Sequence, residues 1–218
     1  MRKQKAPHGI LITFEGTEGA GKSTLIQEVG AQLTRLLGER RVVITREPGG
    51  THVAERIRAT ILEEQMDPWT ELFLYEAARA EHLAKTVRPA LDNGQIVLCD
   101  RFTDSTLAYQ AHARGLPWKE VHALNRTACR GIKPCLTVFL DIDPAVGLKR
   151  AKVQTRFEAE GVKFQKKVRL GFLKSRKEDP KRWLTLKAMS GTPEKLGGAV
   201  IERLIASHTL KIKPVKRG

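Results

Sequence analysis

Short apolar segments alternate with amphipathic stretches along most of the chain. In the amphipathic stretches the apolar residues recur every three or four positions, which is typical of helices with one buried face. The short segments are nearly continuous apolar runs, which is typical of strands covered on both faces of a parallel sheet. Strands are predicted at Ile10–Phe14, Val42–Thr45, Ile96–Cys99, Leu136–Leu140 and Trp183–Leu186.

Helices are predicted between and after these strands. Their ranges are Lys22–Leu37, His52–Glu64, Trp69–Leu91, part of Leu116–Arg130, Pro144–Lys152, Phe157–Lys177 and Pro193–Ser207. This alternation predicts an α/β fold of three layers, in which helices flank a mainly five-stranded parallel sheet. A chain of 218 residues is long enough for one such core. We therefore expect a single domain over residues 9–207, with basic tails at 1–8 and 208–218.

A glycine-rich loop follows the first predicted strand directly. Residues 16–24 read GTEGAGKST and match the pattern G-x-x-x-x-G-K-[ST] at every fixed position. The strand before and the helix after allow backbone N–H groups to converge on one anion, so this is a candidate phosphate-binding loop (P-loop). Gly16 and Gly21 permit the tight backbone, Lys22 reaches the β- and γ-phosphates, and the Ser23 hydroxyl binds Mg²⁺. A chance glycine-rich turn before a helix is the alternative.

The net charge of +15 first suggests a nucleic-acid partner. Residues 1–8, 163–187 and 211–218 carry the whole excess, and the rest of the chain is balanced. A solvated helix face and basic chain ends explain most of it, and no nucleic-acid-reading motif accompanies the charge. Nucleic acid is therefore possible as a partner but is not expected as the main function.

Other features of the composition narrow the class of protein. No apolar run approaches the roughly eighteen residues of a membrane span. The three cysteines lack C-x-x-C spacing and so suggest neither a zinc site nor a disulfide framework. We expect a cytoplasmic protein that has no membrane partner.

Polar residues follow the second and third predicted strands. Arg46 and Arg101 each stand at a strand end, where ligands of a doubly wound sheet bind. A guanidinium suits phosphate because its planar fork donates two parallel hydrogen bonds and keeps its charge. Asp100 stands where a carboxylate can hold the water ligands of magnesium. Surface ion pairs are the alternative for the two arginines.

Four motifs in this order resemble the bacterial thymidylate kinase family, within the P-loop nucleoside monophosphate kinases. They are FEGTEGAGKST (Phe14–Thr24), REPGGT (Arg46–Thr51), YEAAR (Tyr75–Arg79) and DRFTDSTLAYQ (Asp100–Gln110). A weaker similarity continues through DIDPAVGLKRA (Asp141–Ala151) and RFEAEG (Arg156–Gly161). The resemblance covers residues 9–207 and implies a P-loop kinase fold, a homodimer, and MgATP-dependent phosphorylation of dTMP to dTDP, in dTTP biosynthesis for DNA synthesis.

The resemblance also implies which residues bind ATP and the metal. The ATP phosphates lie on the P-loop residues, which are Gly16, Thr17, Glu18, Gly19, Ala20, Gly21, Lys22, Ser23 and Thr24. Lys22 is also a catalytic residue by this resemblance. Mg²⁺ is implied to lie near Ser23, Asp100 and Glu18, and Glu18 also lies near the sugar 3′-hydroxyl of the acceptor.

Nine residues are implied to bind the acceptor dTMP. Arg101 grips its phosphate and steadies the transferring group, Arg79 hydrogen-bonds the thymine edge, and Tyr75 stacks on the ring. The full set is Glu18, Pro48, Tyr75, Arg79, Arg101, Ser105, Thr106, Tyr109 and Gln110. Pro48 packs near the base, and Tyr109 crowds a 2′-hydroxyl. From spacing alone, Tyr75 is as well explained as a core residue, and Tyr109 and Gln110 as the cap of a surface helix.

The resemblance places a lid at residues 144–160. Family members with an acidic residue at the position of Glu18 generally carry catalytic arginines in the lid, and Arg150 and Arg156 are the candidates. Lys149 and Lys152 are equally explained as solvated. This lid is a few residues short, and Thr155 stands where an aspartate is usual. Two other functions stay open: another P-loop nucleoside or nucleotide kinase, and a nucleic-acid-binding regulatory NTPase.

Overall fold

The computed structural model describes residues 9–151, 156–207 and 209. Five parallel strands form one sheet in the order β2-β3-β1-β4-β5. The strands are β1 (Ile10–Glu15), β2 (Val42–Arg46), β3 (Ile96–Asp100), β4 (Leu136–Asp141) and β5 (Trp183–Lys187). Each extends one residue beyond its predicted end, and the predicted fold class is confirmed.

Helices cover both faces of the sheet. They are α1 (Lys22–Leu37), α2 (His52–Glu63), α3 (Pro68–His82), α4 (Arg88–Asp92), α5 (Thr103–Thr106), α6 (Trp118–Cys129), α7 (Pro144–Arg150), α8 (Arg156–Ala159), α9 (Gly161–Glu178) and α10 (Pro193–Ala206). Single 3₁₀ turns occur at Glu39–Arg41 and Pro180–Arg182, and π-helical turns at Leu83–Val87 and Leu107–Ala113.

Local sequence signals explain where several helices begin. The Thr51 hydroxyl accepts the Ala54 N–H at 3.1 Å and caps α2. The Asp67 carboxylate accepts the Trp69 N–H at 2.8 Å and caps α3, whose first residue is proline. A capping oxygen satisfies a backbone donor that has no partner inside the helix, and proline has no such donor to lose.

The core has two layers because alternate strand residues face opposite sides of the sheet. Ile12, Phe14 and Leu98 pack with residues of α1 and α10 on one face. On the other face, Leu11 and Val97 pack with the helical stretch that runs from α3 into α4. The three central strands are therefore buried on both sides, which explains their continuous apolar runs, whereas the edge strands β2 and β5 are partly exposed.

Three predicted helices differ from the structure. The stretch predicted at Trp69–Leu91 contains the π-helical turn Leu83–Val87, and the stretch predicted at Phe157–Lys177 is split where Gly161 has a φ of 76°. The helix predicted to end at Lys152 ends at Arg150, because the backbone of Ala151 is extended, and Lys152 lies outside the described residues.

The helical segment from Thr103 to Ala113 was not predicted at all. Its buried face includes the polar residues Asp104, Thr106 and Gln110, so it lacks the apolar periodicity of an ordinary amphipathic helix.

Both predicted basic tails lie outside the described residues, apart from Thr209. Within the part of the chain that is described, no helix combines the length and the apolarity needed to cross a membrane.

Candidate active site

The P-loop connects β1 to α1 at the carboxyl edge of the sheet. Gly16, Gly19 and Gly21 have φ angles of 149°, 68° and 91°, which residues with a Cβ rarely adopt. The Lys22 ammonium donates to the carbonyl oxygens of Gly16 and Thr17, both at 3.1 Å. The loop therefore wraps around a buried cation, as a site for phosphate oxygens requires.

An oxygen-rich site lies where the first turn of α1 meets the end of β3. The Ser23 hydroxyl donates to Oδ2 of Asp100 at 3.2 Å. The other carboxylate oxygen, Oδ1 of Asp100, is buried and accepts no hydrogen bond from any residue that the structure describes. Hydroxyl and carboxylate oxygens are the ligands that Mg²⁺ prefers. The side chains of Ser23 and Asp100 therefore fit a magnesium ion or its water shell.

A cavity opens beside the P-loop, between the ends of β1, β2 and β3 and the helices that follow them. All nine residues predicted to bind the acceptor line it, namely Glu18, Pro48, Tyr75, Arg79, Arg101, Ser105, Thr106, Tyr109 and Gln110. Five further residues that the sequence analysis did not assign complete the wall, namely Glu47, Arg58, Leu62, Phe102 and Phe157. We call this the acceptor cavity.

Arg101, Glu18 and Tyr109 form a charged network at the boundary between the P-loop and the acceptor cavity. Nη2 of Arg101 donates to one carboxylate oxygen of Glu18 at 2.7 Å, and the Tyr109 hydroxyl donates to the other at 2.8 Å. Burial favours the neutral form of Glu18, but the charges of Arg101 and Lys22 outweigh it and lower the pKa of that carboxyl. Glu18 is therefore held as a carboxylate.

The Arg101 guanidinium bridges the two halves of the site. Its Nη1 donates to the Gly16 carbonyl at 3.1 Å and to the Ser105 hydroxyl at 3.2 Å. The guanidinium also lies over the Tyr109 ring, with its central carbon 5.1 Å from the ring centroid. One arginine thus contacts the donor loop and the acceptor cavity together.

Arg79 lies in the wall of the acceptor cavity and is 2% exposed. Its Nε donates to Glu47 at 2.8 Å, and its Nη1 donates to Glu76 at 2.9 Å and to Asn125 at 2.6 Å. Its Nη2 donates to the Thr106 hydroxyl at 2.8 Å. Most of this guanidinium is thus occupied by the protein, which the spacing of the YEAAR motif did not predict.

Arg58 is the cation of the acceptor cavity that the sequence analysis missed. Its Nη1 donates to the Pro48 carbonyl at 3.0 Å. Burial and the charge of Arg46 lower the pKa of Arg58. Arg58 lies on α2, which follows the REPGGT motif, so the rule that ligands bind beyond strand ends could have identified it.

Arg46, by contrast, lies outside the acceptor cavity. It forms an exposed ion pair with Glu55 at 2.8 Å. The structure thus shows the surface ion pair that the sequence analysis gave as the alternative for this arginine.

The two candidate lid arginines lie apart from each other. Nη1 of Arg150 contacts the Met189 sulfur, after β5. Arg156 is 7% exposed, pairs with the Glu71 carboxylate at 2.6 Å and donates to the Ile61 carbonyl. It therefore contacts α2 and α3 rather than the P-loop. Lys149 is exposed, and Lys152 and Thr155 lie outside the described residues.

Another cavity lies at the P-loop and shares no lining residue with the acceptor cavity. It is lined by Ala20, Gly21 and Thr24 of the loop and its helix, by Arg150, and by residues 188–196 after β5, including Ala188, Met189 and Pro193. Apolar groups and loop backbone suit a nucleotide base whose phosphates extend into the P-loop. The sequence analysis assigned no residue after β5, although the rule on strand ends applied there as well.

These features define the class of protein. A parallel sheet with a P-loop at its carboxyl edge, a magnesium-compatible Ser–Asp pair and a second, arginine-lined cavity next to the loop is the arrangement of a P-loop kinase. The thymidylate kinase family model matches residues 14–195.

Named relatives agree with this match. The chain is 43% identical to the thymidylate kinase of Pelobacter propionicus, over 92% of this chain and 95% of the relative. It is 49% identical to that of Pseudomonas fluorescens, over 83% and 88% of the two chains. A crystal structure of thymidylate kinase from Ehrlichia chaffeensis superposes with a TM-score of 0.75 at 32% identity, over 89% of this chain and 99% of that one. The chain belongs to the thymidylate kinase family.

Proposed function

We propose that this chain transfers the γ-phosphoryl group of ATP to the phosphate of dTMP, giving ADP and dTDP. The observation that carries the proposal is the position of Arg101. Its guanidinium contacts the P-loop carbonyl of Gly16 and, through Glu18 and Ser105, the wall of the acceptor cavity. A cation at this boundary can neutralise the acceptor phosphate and the transferring group at once.

A phosphate acceptor is already an anion near neutral pH, so the reaction needs no general base. Catalysis then consists of aligning two phosphates that repel each other and neutralising their charge. Lys22 holds the donor phosphates, Arg101 holds the acceptor phosphate, and Arg150 and Arg156 remain the candidates for further positive charge. Arg58 adds a second guanidinium to the acceptor cavity.

The acceptor cavity also fits a thymine base. Tyr75, Pro48 and Phe102 provide apolar surface for a flat ring. Nη2 of Arg79 carries two N–H groups, and the Thr106 hydroxyl accepts only one of them, so one donor is left for a thymine carbonyl among the described residues. Tyr109 lines the same cavity, and we infer that its ring would crowd a ribose 2′-hydroxyl.

We also propose that Mg²⁺ is the metal and that Ser23 and Asp100 hold it, with Glu18 nearby. When bound, the ion neutralises charge on the ATP phosphates. Glu18 already accepts hydrogen bonds from Arg101 and Tyr109, so its contribution to the metal is less direct than that of Asp100.

We further propose a cytoplasmic homodimer. The outer surface of α2 and α3 exposes Val53 and Phe73, which are 50% and 54% accessible. Phe73 is also in ring contact with Trp69, with centroids 6.0 Å apart. Contiguous exposed apolar patches mark protein–protein interfaces, and we propose that these side chains contribute to one.

A coupled ADP-release assay with purified protein, MgATP and single nucleoside monophosphates tests the reaction. We expect turnover that depends on dTMP, is weaker with dUMP, and is weakest with UMP because of its 2′-hydroxyl. Parallel reactions receive DNA or RNA in place of a monophosphate. ATP turnover that rises with nucleic acid and not with dTMP would overturn the proposal in favour of a nucleic-acid-dependent NTPase.

A further inference from the structure

Glu15 is a fully buried carboxylate to which the proposed chemistry assigns no role. It is the last residue of β1, directly before the P-loop, and its side chain is 0% exposed. One oxygen accepts the Phe102 N–H at 2.9 Å, and the other accepts the Ser105 hydroxyl at 2.5 Å. Both donors belong to the segment that follows β3 and carries Arg101.

The first of these hydrogen bonds stabilises an unusual backbone turn. Arg101 has a φ of 67°, in the left-handed region that residues with a Cβ adopt rarely. The turn is fixed on both sides, because the Arg101 N–H donates to the Phe14 carbonyl at 2.9 Å and the next N–H donates to Glu15. The end of β1 thus determines the direction in which the Arg101 side chain leaves the backbone.

The second hydrogen bond orients the hydroxyl that contacts the guanidinium. A serine hydroxyl has one hydrogen to donate and lone pairs to accept with. Because Ser105 donates that hydrogen to Glu15, its lone pairs are left to accept from Nη1 of Arg101 at 3.2 Å. Glu15, Ser105 and Arg101 therefore form a directed chain of hydrogen bonds that ends at the acceptor cavity.

We propose that Glu15 is a positioning residue for the acceptor phosphate: its carboxylate fixes the Arg101–Ser105 segment and so aims the Arg101 guanidinium at that phosphate. This inference rests on the proposed function. Burial and the nearby charge of Asp104 raise the pKa of Glu15 to about 8, although Ser105, Arg101 and the Phe102 N–H oppose the rise. Assays at pH 8.5 therefore favour the carboxylate form that accepts both bonds.

The test is a double-mutant cycle with Glu15→Gln, Ser105→Ala and the combined variant. Glutamine has nearly the same shape as glutamate, and its oxygen can still accept the Phe102 N–H. In that orientation its amide nitrogen faces Ser105 as a donor. In the opposite orientation the hydrogen bond from the Phe102 N–H is lost. We expect Glu15→Gln to lower kcat/KM for dTMP about 10- to 100-fold, the range for a lost hydrogen bond to a charged group. KM for ATP stays within about twofold, since the donor site keeps its contacts.

Coupling in the cycle separates positioning from general packing. We expect Ser105→Ala alone to lower kcat/KM for dTMP about 10-fold, the lower end of the range for lost hydrogen bonds to charged groups. The combined variant then falls no more than about twofold below Glu15→Gln, because both changes break the same chain. Single effects that simply multiply, or a Glu15→Gln variant with wild-type kcat/KM for dTMP, would overturn the proposal.

Controls keep the outcomes distinct. Glu202→Gln changes an exposed acid on α10 and leaves both KM values unchanged. If Glu15→Gln does not fold, as judged by circular dichroism, Ser105→Ala decides alone, and an unchanged kcat/KM for dTMP in that variant contradicts the proposal. If the wild-type protein does not phosphorylate dTMP, the proposed function fails. If the wild type is active and the variants are unaffected, only the positioning role fails.

Discussion

Gly147 lies close to the P-loop backbone, on the helix α7 that follows β4. A Cβ added at Gly147 would lie 2.4 Å from the Glu18 carbonyl oxygen, and one added at Gly19 would lie 1.9 Å from the Gly147 carbonyl oxygen. Both neighbours are backbone atoms, which cannot rotate away as a side chain can. The loop and the helix therefore fit together only because both positions are glycine.

The substitution Gly147→Ala tests whether this close approach matters for catalysis. Ordinary contact needs at least 3.4 Å, so the loop backbone at Glu18 must move by about 1 Å to admit the new methyl group. A displacement of about 1 Å near reacting groups lowers turnover about 100-fold, or about 2.7 kcal/mol of transition-state stabilisation. Overpacking also costs about 1–3 kcal/mol of folding stability, which lowers Tm by several degrees.

The assay compares kcat, KM for each substrate and Tm for Gly147→Ala and a matched glycine. Gly198 lies within α10, and a Cβ added there has no heavy atom within 4 Å. We expect Gly198→Ala to leave kcat unchanged and to stabilise the protein by about 0.5–1 kcal/mol. Rates are measured at a temperature where circular dichroism shows both variants folded. A folded Gly147→Ala variant with kcat and KM for ATP within twofold of wild type would refute the reasoning.

Three further changes test other parts of the site. Arg101→Ala removes the positive charge that contacts both the P-loop and the acceptor cavity. We expect kcat/KM for dTMP to fall about 10³-fold or more, as for arginines in related phosphoryl transfer. Near-wild-type turnover of the folded variant would contradict this. Ser23→Ala should raise the Mg²⁺ concentration needed for half-maximal rate several-fold while KM for dTMP stays constant, and an unchanged Mg²⁺ titration would remove Ser23 from the metal site. Phe73→Glu places a charge on the exposed face of α3, and light scattering should show a shift from dimer to monomer; a dimer of unchanged stability would place the interface elsewhere.

The strands were predictable because their burial leaves little choice of residue. The central strands β1, β3 and β4 are apolar runs covered on both faces, whereas the edge strands β2 and β5 are partly exposed. Each of the five predictions ended one residue before the strand does in the structure. The residue omitted each time is the polar or charged one at the carboxyl end, including Glu15 and Asp100. The hydrophobic pattern stops at the last apolar residue of each strand. It therefore leaves out the polar residue at the carboxyl end, which is where the site begins.

The helical segment from Thr103 to Ala113 was missed for a related reason. Its inward-facing polar groups are satisfied by distant partners: Asp104 by Arg182 at 2.7 Å, and Gln110 by Glu71 at 2.7 Å. The hydrophobic pattern assigns polar residues to the exposed face of a helix. A helix whose buried face is polar therefore shows no recognisable pattern. Only contacts across the fold show that these residues are buried.

Arg79 shows how far a motif can go without the structure. Arg79 lies one helical turn after Tyr75, and both side chains line the acceptor cavity. The hydrogen bonds of Arg79 to Glu47 and Asn125, 32 and 46 residues away in sequence, were not accessible from spacing. These bonds fix the Arg79 guanidinium before any ligand binds. A base that accepts from the remaining N–H of Arg79 therefore binds to a group that is already oriented, and binding does not include the entropy cost of ordering a long side chain.

Glu18 makes a contact in the structure that its position in the P-loop did not predict. Its acidic character in the P-loop suggested that positive charge must come from a lid. In the structure Glu18 instead holds Arg101, at 2.7 Å, at the edge of the acceptor cavity. A dianionic phosphate that enters the cavity competes with Glu18 for that guanidinium, and it carries more charge than the carboxylate. If the proposed function holds, Arg101 is therefore already in place at the acceptor cavity before the substrate binds, and we expect the lid arginines to supply only the charge that the donor phosphates require.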